Sequence, residues 1–163
     1  RLNPRPETYL YIAWLGTSAD YFKIRELERA FSVIVDEPEK FEVVVTDYTA
    51  SGDFQRDNAM KTRFQALITM GEIDAIITSR QGVEEFIEGN MFLQTVDEIL
   101  NFFHVDEEKF FFAEEKIFAV SLEGSQFLKN VEINSDDNFL CVIVNSKRFH
   151  ELAKALEVLL NGA

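Results

Sequence analysis

The sequence predicts a layered α/β/α domain with a mostly parallel sheet. Short β-branched or aromatic runs alternate with amphipathic helical patterns along the chain, which is the order that βαβ units produce. Two runs, residues 43–45 and 75–77, are wholly apolar, as expected of strands that are buried on both faces. A third apolar run, 139–144, precedes the best amphipathic helical pattern of the chain. Helices are therefore expected on both sides of the sheet.

The first half of the chain predicts three strands, each followed by a helix. Residues 8–15 form an aromatic and apolar strand that ends at Gly16, and 41–46 form the second strand. A helical pattern from Met60 to Ile68 ends at Gly71, a residue suited to a left-handed C-terminal cap. The third strand, 73–77, is followed by Thr78 and Ser79 and then by a short helix.

The second half predicts a hairpin, one more buried strand and a final helix. Residues 110–112 and 117–122 suit an antiparallel pair that turns at Glu114-Glu115. A polar turn at 134–138 leads into the strand 139–144, and the helix 146–160 is closed by Gly162. We see no internal linker, so residues 9–163 are predicted to be one domain, and residues 1–8 a linker.

Two segments resemble bacterial extracellular solute-binding proteins. The first is Gly71-Glu72-Ile73-Asp74-Ala75-Ile76-Ile77 after an amphipathic helix, continued by Phe86, Gly89-Asn90-Met91-Phe92-Leu93, Val96, Ile99 and Leu100. The second is Cys141-Val142-Ile143-Val144-Asn145-Ser146-Lys147 before a leucine-rich helix. With residues 117–122, the matches cover roughly half of the chain. The resemblance implies a periplasmic-binding-protein-like lobe. Such proteins have two lobes, and 163 residues suffice for about one.

Charge and composition limit the partners. The chain has a net charge of −13, so its surface repels polyanions, and neither nucleic acid nor an anionic membrane is an expected partner. No apolar stretch reaches the length of a membrane span. Cys141 is the only cysteine, which excludes an intrachain disulfide. The resemblance implies an extracytoplasmic location, with an anchoring or signal segment before Arg1.

Known catalytic and cofactor motifs are missing from the sequence. It contains neither a phosphate-binding glycine loop nor a nucleophile elbow, and Ser125 after Glu123-Gly124 suits a helix cap better. His104 and His150 have no partner at metal-ligand spacing, and the acidic pair at 136–137 lacks the ligand spacing of an EF-hand. We therefore predict a non-enzymatic protein without a metal or another cofactor.

The ends of the predicted parallel strands suggest a ligand site. If all strands are parallel, hydroxyls, helix N-termini and cations meet at one edge of the sheet, which suits a small polar or anionic ligand. The same residue types are ordinary helix caps, so both interpretations stand. The candidate ligand-binding residues are Thr17, Ser18, Asp47, Thr49, Ser79, Arg80, Asn145 and Ser146.

An abundance of phenylalanine supports a second hypothesis. The chain has 16 phenylalanines, and consecutive ones cannot all face inward on a strand. They form either an aromatic-rich core or a surface patch for dimerisation or docking. The candidate patch is Phe102, Phe103, Phe110, Phe111 and Phe112. The two functional hypotheses are thus recognition of a small solute or surface partner, and a protein-interaction module without a small ligand.

Overall fold

A single mixed sheet forms the centre of the computed structural model, which describes residues 4–89 and 92–162. Its strands lie in the order β2-β1-β3-β7-β6-β5, and β4 also pairs with β7. The strands are β1 (Glu7–Leu15), β2 (Phe41–Asp47), β3 (Ala75–Thr78), β4 (Leu93–Gln94), β5 (Phe110–Ala113), β6 (Lys116–Ser121) and β7 (Phe139–Ile143).

Within the described residues, five α-helices and two 3₁₀ turns lie between the strands, and a sixth helix follows the last strand. The helices are α1 (Tyr21–Ala30), α2 (Phe54–Thr69), α3 (Arg80–Glu88), α4 (Asp97–Leu100), α5 (Gln126–Asn130) and α6 (Phe149–Asn161), and the 3₁₀ turns are Phe31–Ile34 and Glu107–Lys109. Helix α2 ends as the sequence predicts, because Gly71 has a φ of 73° and donates its N–H to the carbonyl of Ile68 at 2.9 Å.

Alternation along the strands divides the core into two faces. Leu10, Ile12 and Trp14 of β1 pack with α1, α5 and α6, whereas Tyr11 and Ala13 pack with α2. Helix α3 buries Val83 against the same side of the sheet as Ala119 of β6. The predicted α/β class and its layered arrangement are therefore confirmed.

The direction of the strands agrees with the prediction except at β7. Strands β2 and β3 are both parallel to β1. Strand β7 is antiparallel to β3, β4 and β6, and β5 is antiparallel to β6, as the predicted hairpin requires. Five of the seven described strands consequently run in one direction, and β5 and β7 run in the other.

The expectation that β7 continues the parallel set is wrong. A parallel return needs a crossover that travels back along the sheet, usually a helix. After β6, α5 has only five residues, and the chain stays at the same edge, where Leu122 donates its N–H to Asn138 O at 2.8 Å. The chain therefore enters β7 from the edge at which it left β6.

Some predictions concern residues outside the described ranges. Residues 1–3 of the predicted linker, Asn90 and Met91 of the first resembling segment, and Ala163 lie outside them. Strand β1 begins at Glu7, within the stretch that the sequence assigned to the linker.

Candidate functional site

Six of the eight candidate ligand residues lie at the carboxyl edge of the parallel strands. Trp14 is in register with Asp47, and Leu15 with Thr78, so the three strands end side by side. The candidates at or directly after these ends are Thr17, Ser18, Asp47, Thr49, Ser79 and Arg80. The candidate residues that belong to the ends of β1, β2 and β3 therefore lie at one edge of the sheet, as predicted.

The helix N-termini at this edge are already occupied by side chains of the chain itself. Asp20 accepts from the N–H of Lys23 at 2.9 Å in α1, and Asp53 accepts from Arg56 at 3.2 Å in α2. In α3 the N–H groups of residues 80 and 82 are bonded to Asp137 and Ser79, respectively. Three carboxylates thus take the places that an anionic ligand would need.

A polar turn, residues 134–138, fills the edge between β1 and β7. Asn138 is fully buried, and its Oδ1 accepts the N–H of Thr17 at 3.0 Å. The hydroxyl of Thr17 donates to Asn134 O at 3.1 Å. A Cβ on Gly16 would lie 2.2 Å from Asn138 Oδ1, so only glycine permits this approach. Thr17 is therefore a structural residue here and not the N-cap of α1, which is Asp20.

Asp47 and Arg80 at this edge also contact neighbouring residues. Asp47 accepts the N–H of Thr49 at 2.8 Å. The guanidinium of Arg80 lies 5.1 Å from the ring centres of both Phe111 and Phe139, which is cation–π geometry. The buried hydroxyl of Thr49 has no hydrogen-bond partner among the described residues.

The placement of Asn145 and Ser146 with this group is wrong. Because β7 is antiparallel to β3, both residues leave the sheet at the opposite edge. There Ser146 donates its hydroxyl to Asp74 Oδ1 at 3.0 Å, and Arg148 Nη1 donates to Asp74 Oδ2 at 2.8 Å. Asp74 is 1% exposed and also accepts the N–H of Tyr11 at 2.8 Å. Ser146 therefore belongs to a buried polar network, whereas Asn145 is exposed.

The sequence did not predict a cavity of about 340 Å³ beside the ends of β1 and β2. We call it the aromatic cavity, because four aromatic rings line it: Tyr48, Phe64, Phe86 and Phe92. Leu15 and Met60 extend this apolar wall. Its polar lining residues include Asp57, Asn58, Lys61 and Gln65.

Hydrogen bonds fix the ring of Tyr48 in the wall of the aromatic cavity. Its hydroxyl lies 2.8 Å from the hydroxyl of Tyr11, which in turn donates to Thr46 Oγ1 at 3.1 Å. Burial, followed by this hydrogen bond, raises the pKa of Tyr48 far above its usual range, so the phenol stays protonated. The ring centre lies 5.1 Å from that of Phe64, which is 6.4 Å from Phe86. The wall is therefore a connected aromatic cluster.

Asp57 holds residues 51–52 of the loop beside the aromatic cavity. Its carboxylate accepts the N–H of Ser51 at 2.9 Å, the hydroxyl of Ser51 at 2.7 Å and the N–H of Gly52 at 3.0 Å. The bonds to Ser51 are the main cause of a lowered pKa for Asp57. Asp57 therefore orders residues 51–52, where Gly52 has a φ of 90°.

The predicted phenylalanine patch is only partly exposed. Phe111 is 6% exposed and packs edge-on against Phe139, so its assignment to a surface is wrong. The cause is strand alternation, which turns Phe110 and Phe112 to one face of β5 and Phe111 to the other. Phe103 and Phe110 pack against the main core, whereas Phe102 and Phe112 are each about half exposed.

Within residues 4–89 and 92–162, no group of three or more His, Cys, Asp or Glu side chains could hold a metal ion. None of the helices described is long and apolar enough to cross a membrane.

Cys141 is fully buried, and that burial strongly raises the pKa of its thiol. The side chain therefore stays in the protonated thiol form, which is a poor nucleophile. Ser125 Oγ accepts the N–H of Leu128 at 3.1 Å, which confirms it as a helix cap.

Comparison with known proteins gives one structural similarity. No family model matches the chain, and no curated protein sequence matches it significantly. The chain is similar to an ABC substrate-binding protein from Listeria monocytogenes in complex with cycloalternan, with 14% identity and a TM-score of 0.44. The match covers 71% of this chain and 28% of that protein, so the chain spans less than a third of its length.

Proposed function

We propose that this chain is a non-enzymatic, solute-binding-like domain that binds a small molecule in the aromatic cavity. One observation carries the proposal: four aromatic rings, from the residue after β2, from α2, from α3 and from the segment after α3, line a space of about 340 Å³. Ligand pockets are usually concave, mostly apolar and at least about 300 Å³ in volume. The polar rim around this apolar wall suits a ligand with an apolar body and a polar end.

The charges around the cavity favour a ligand without net negative charge. Asp20, Asp53 and Asp137 occupy the N-termini of α1, α2 and α3, which would otherwise attract an anion. Aromatic faces carry negative quadrupole charge, and the protein has a net charge of −13. We therefore propose a neutral or zwitterionic solute in place of the anionic ligand that the sequence allowed.

Two methionines, one within α2 and one at its C-cap, provide a matched test. Met60 lines the cavity, whereas Met70, at the C-terminal end of the helix, is 66% exposed and lies outside it. A library of small neutral and charged compounds is screened by thermal shift against the wild type, Met60→Glu and Met70→Glu. We expect bound compounds to lose about five- to thirtyfold in affinity with Met60→Glu, because a charge is placed against their apolar body. Affinity for Met70→Glu should equal that of the wild type.

Two results would count against the proposal. One is that no compound raises the melting temperature of the wild type. The other is that Met60→Glu and Met70→Glu have the same effect on every ligand found. Circular dichroism of both variants provides the control for folding, since Met60 is partly buried against the core beside α2.

The extracytoplasmic location is a separate part of the proposal. It is supported by the two segments that resemble extracellular solute-binding proteins, residues 71–100 and 141–160. Cell fractionation with an antibody against the domain tests it. Recovery of the protein in the cytosol alone would contradict this location without affecting the aromatic cavity.

A further inference from the structure

A second groove lies on the other side of Phe86, where the sheet forks. In register, Ala119 of β6 faces Cys141 of β7, but Gln94 of β4 faces the next residue, Val142. On the same side of β7, β6 therefore pairs with its first three residues and β4 with its last two. The first half of β6 passes outside β4, where Val96 donates its N–H to Ile117 O at 3.0 Å.

A bulge in β6 directs a phenylalanine into this fork. Phe111 of β5 is in register with Ala119 and Phe112 with Ile117, so Phe118 is an additional residue in β6. Bulges change the direction of a side chain and often occur beside binding sites. Phe118 lines a cavity of about 390 Å³, which we call the fork groove.

The hairpin between β5 and β6 places two opposite charges at the fork groove. Glu114 and Lys116 both line it. Glu114 and Glu115 form the turn with φ values of 52° and 66°, a left-handed conformation that is costly for residues other than glycine. Among the described residues, neither Glu114 nor Lys116 takes part in an ion pair. Their charges are therefore available to a ligand.

The fork groove and the aromatic cavity share a wall. Phe86 lines both, and the neighbouring residues Phe92 and Leu93 line the aromatic cavity and the fork groove, respectively. The wall of the aromatic cavity is mostly apolar, although Asp57 and Lys61 stand among its polar lining, and the fork groove carries Glu114 and Lys116. A molecule that extends past Phe86 would meet the apolar surface first and the pair of opposite charges next.

We propose that the fork groove binds the zwitterionic end of a ligand whose apolar end lies in the aromatic cavity. Glu114 would accept hydrogen bonds from the ligand ammonium, and Lys116 would donate to its carboxylate, as charge-assisted bonds do. The ligand class is then a small aromatic amino acid or a close analogue. This inference rests on the proposed function and specifies its ligand.

Indole and L-tryptophan separate the two sites, because they share the ring system and differ in the charged end. Binding is measured by titration of ¹⁵N-labelled protein, and the amide shifts locate each probe. We expect both probes to shift amides of α2 and α3, and only L-tryptophan to shift residues 114–118. Glu114→Gln and Lys116→Met should each weaken the binding of L-tryptophan about ten- to a hundredfold, the loss of one hydrogen bond to a charged group, and leave the binding of indole unchanged.

The control variants are Glu107→Gln and Lys129→Met, which remove exposed charges that line neither cavity. Equal affinity for indole and L-tryptophan, with no effect of Glu114→Gln or Lys116→Met, would overturn the role of the fork groove. It would leave the proposed binding in the aromatic cavity unaffected. Failure of L-tryptophan to bind, while other compounds bind in a Met60-dependent manner, would overturn the zwitterionic class. Absence of any Met60-dependent ligand would overturn the proposed function itself.

Discussion

The network around Asp74 provides a direct test of whether Ser146 is a ligand residue or a structural one. Asp74 accepts hydrogen bonds from the backbone of Tyr11, from Ser146 and from Arg148. It links β1, the start of β3 and the segment before α6. A ligand role for Ser146 predicts that its loss weakens binding, whereas a structural role predicts a loss of stability.

The expected magnitudes follow from what each substitution leaves unpaired. In Asp74→Ala the buried N–H of Tyr11 loses its acceptor, and the charge of Arg148 loses its partner, so we expect a loss of about 3–5 kcal/mol in the free energy of unfolding. Ser146→Ala removes one of the three donors to Asp74 and should cost about 1–2 kcal/mol. Arg148 has a side chain that is 36% exposed, so Arg148→Met should fall between these values.

Urea denaturation followed by circular dichroism measures the three values, and Asn145→Ala, an exposed neighbour, is the control. Ligands that bind the aromatic cavity should keep their affinity for Ser146→Ala. A cost below about 1 kcal/mol for Asp74→Ala would refute the importance of the network, since even one lost buried hydrogen bond should exceed it. A tenfold loss of ligand affinity in Ser146→Ala would instead restore the residue to a binding site.

Three further predictions concern the backbone and pH. Replacing Glu114-Glu115 by Asn-Gly should stabilise the fold by about 1–2 kcal/mol in urea denaturation, because these residues suit two successive positive φ angles; an unchanged midpoint would argue against strain there. Gly82→Ala should lower the melting temperature, since its Cβ would lie 2.1 Å from Thr78 Oγ1, and an unchanged value would show that Thr78 moves freely. The pKa of Asp57 is lowered in the folded state, so its contribution is full above the unfolded pKa and is lost as pH falls through the folded value. Asp57→Asn should therefore flatten the decline of stability below about pH 4, and an identical acid slope would contradict this.

The sequence predicts the strands well, but it does not contain their direction. The β-branched run at 75–77 and the apolar run at 139–143 both form buried strands, as expected. An antiparallel strand with one solvent-exposed face shows alternating apolar and polar residues. Full burial removes this alternation, so the sequence of a buried strand does not reveal its direction. The connection through the five-residue α5 decides the direction of β7, and its role depends on tertiary packing.

The network and the cavity differ in how far the sequence could have revealed them. Asp74 is an isolated acid within an apolar run, and a buried charge requires partners, so it was a detectable signal. The aromatic cavity combines Tyr48, Phe64 and Phe86 from separate elements. Each of these residues fits the core near its own element, and the space between them exists only in the tertiary structure, where the ring of Phe64 in α2 lies 6.4 Å from that of Phe86 in α3.

The self-capping of the helices explains why the candidate site lies beside the carboxyl edge and not on it. In α/β sheets, free helix N-termini at that edge attract anionic groups. Here Asp20, Asp53 and Asp137 satisfy those N–H groups, and an incoming anion would have to displace a bonded carboxylate. An aromatic wall meets no such competition, because dispersion and apolar burial do not require a vacant donor. Binding is therefore expected where Tyr48, Phe64 and Phe86 form that wall.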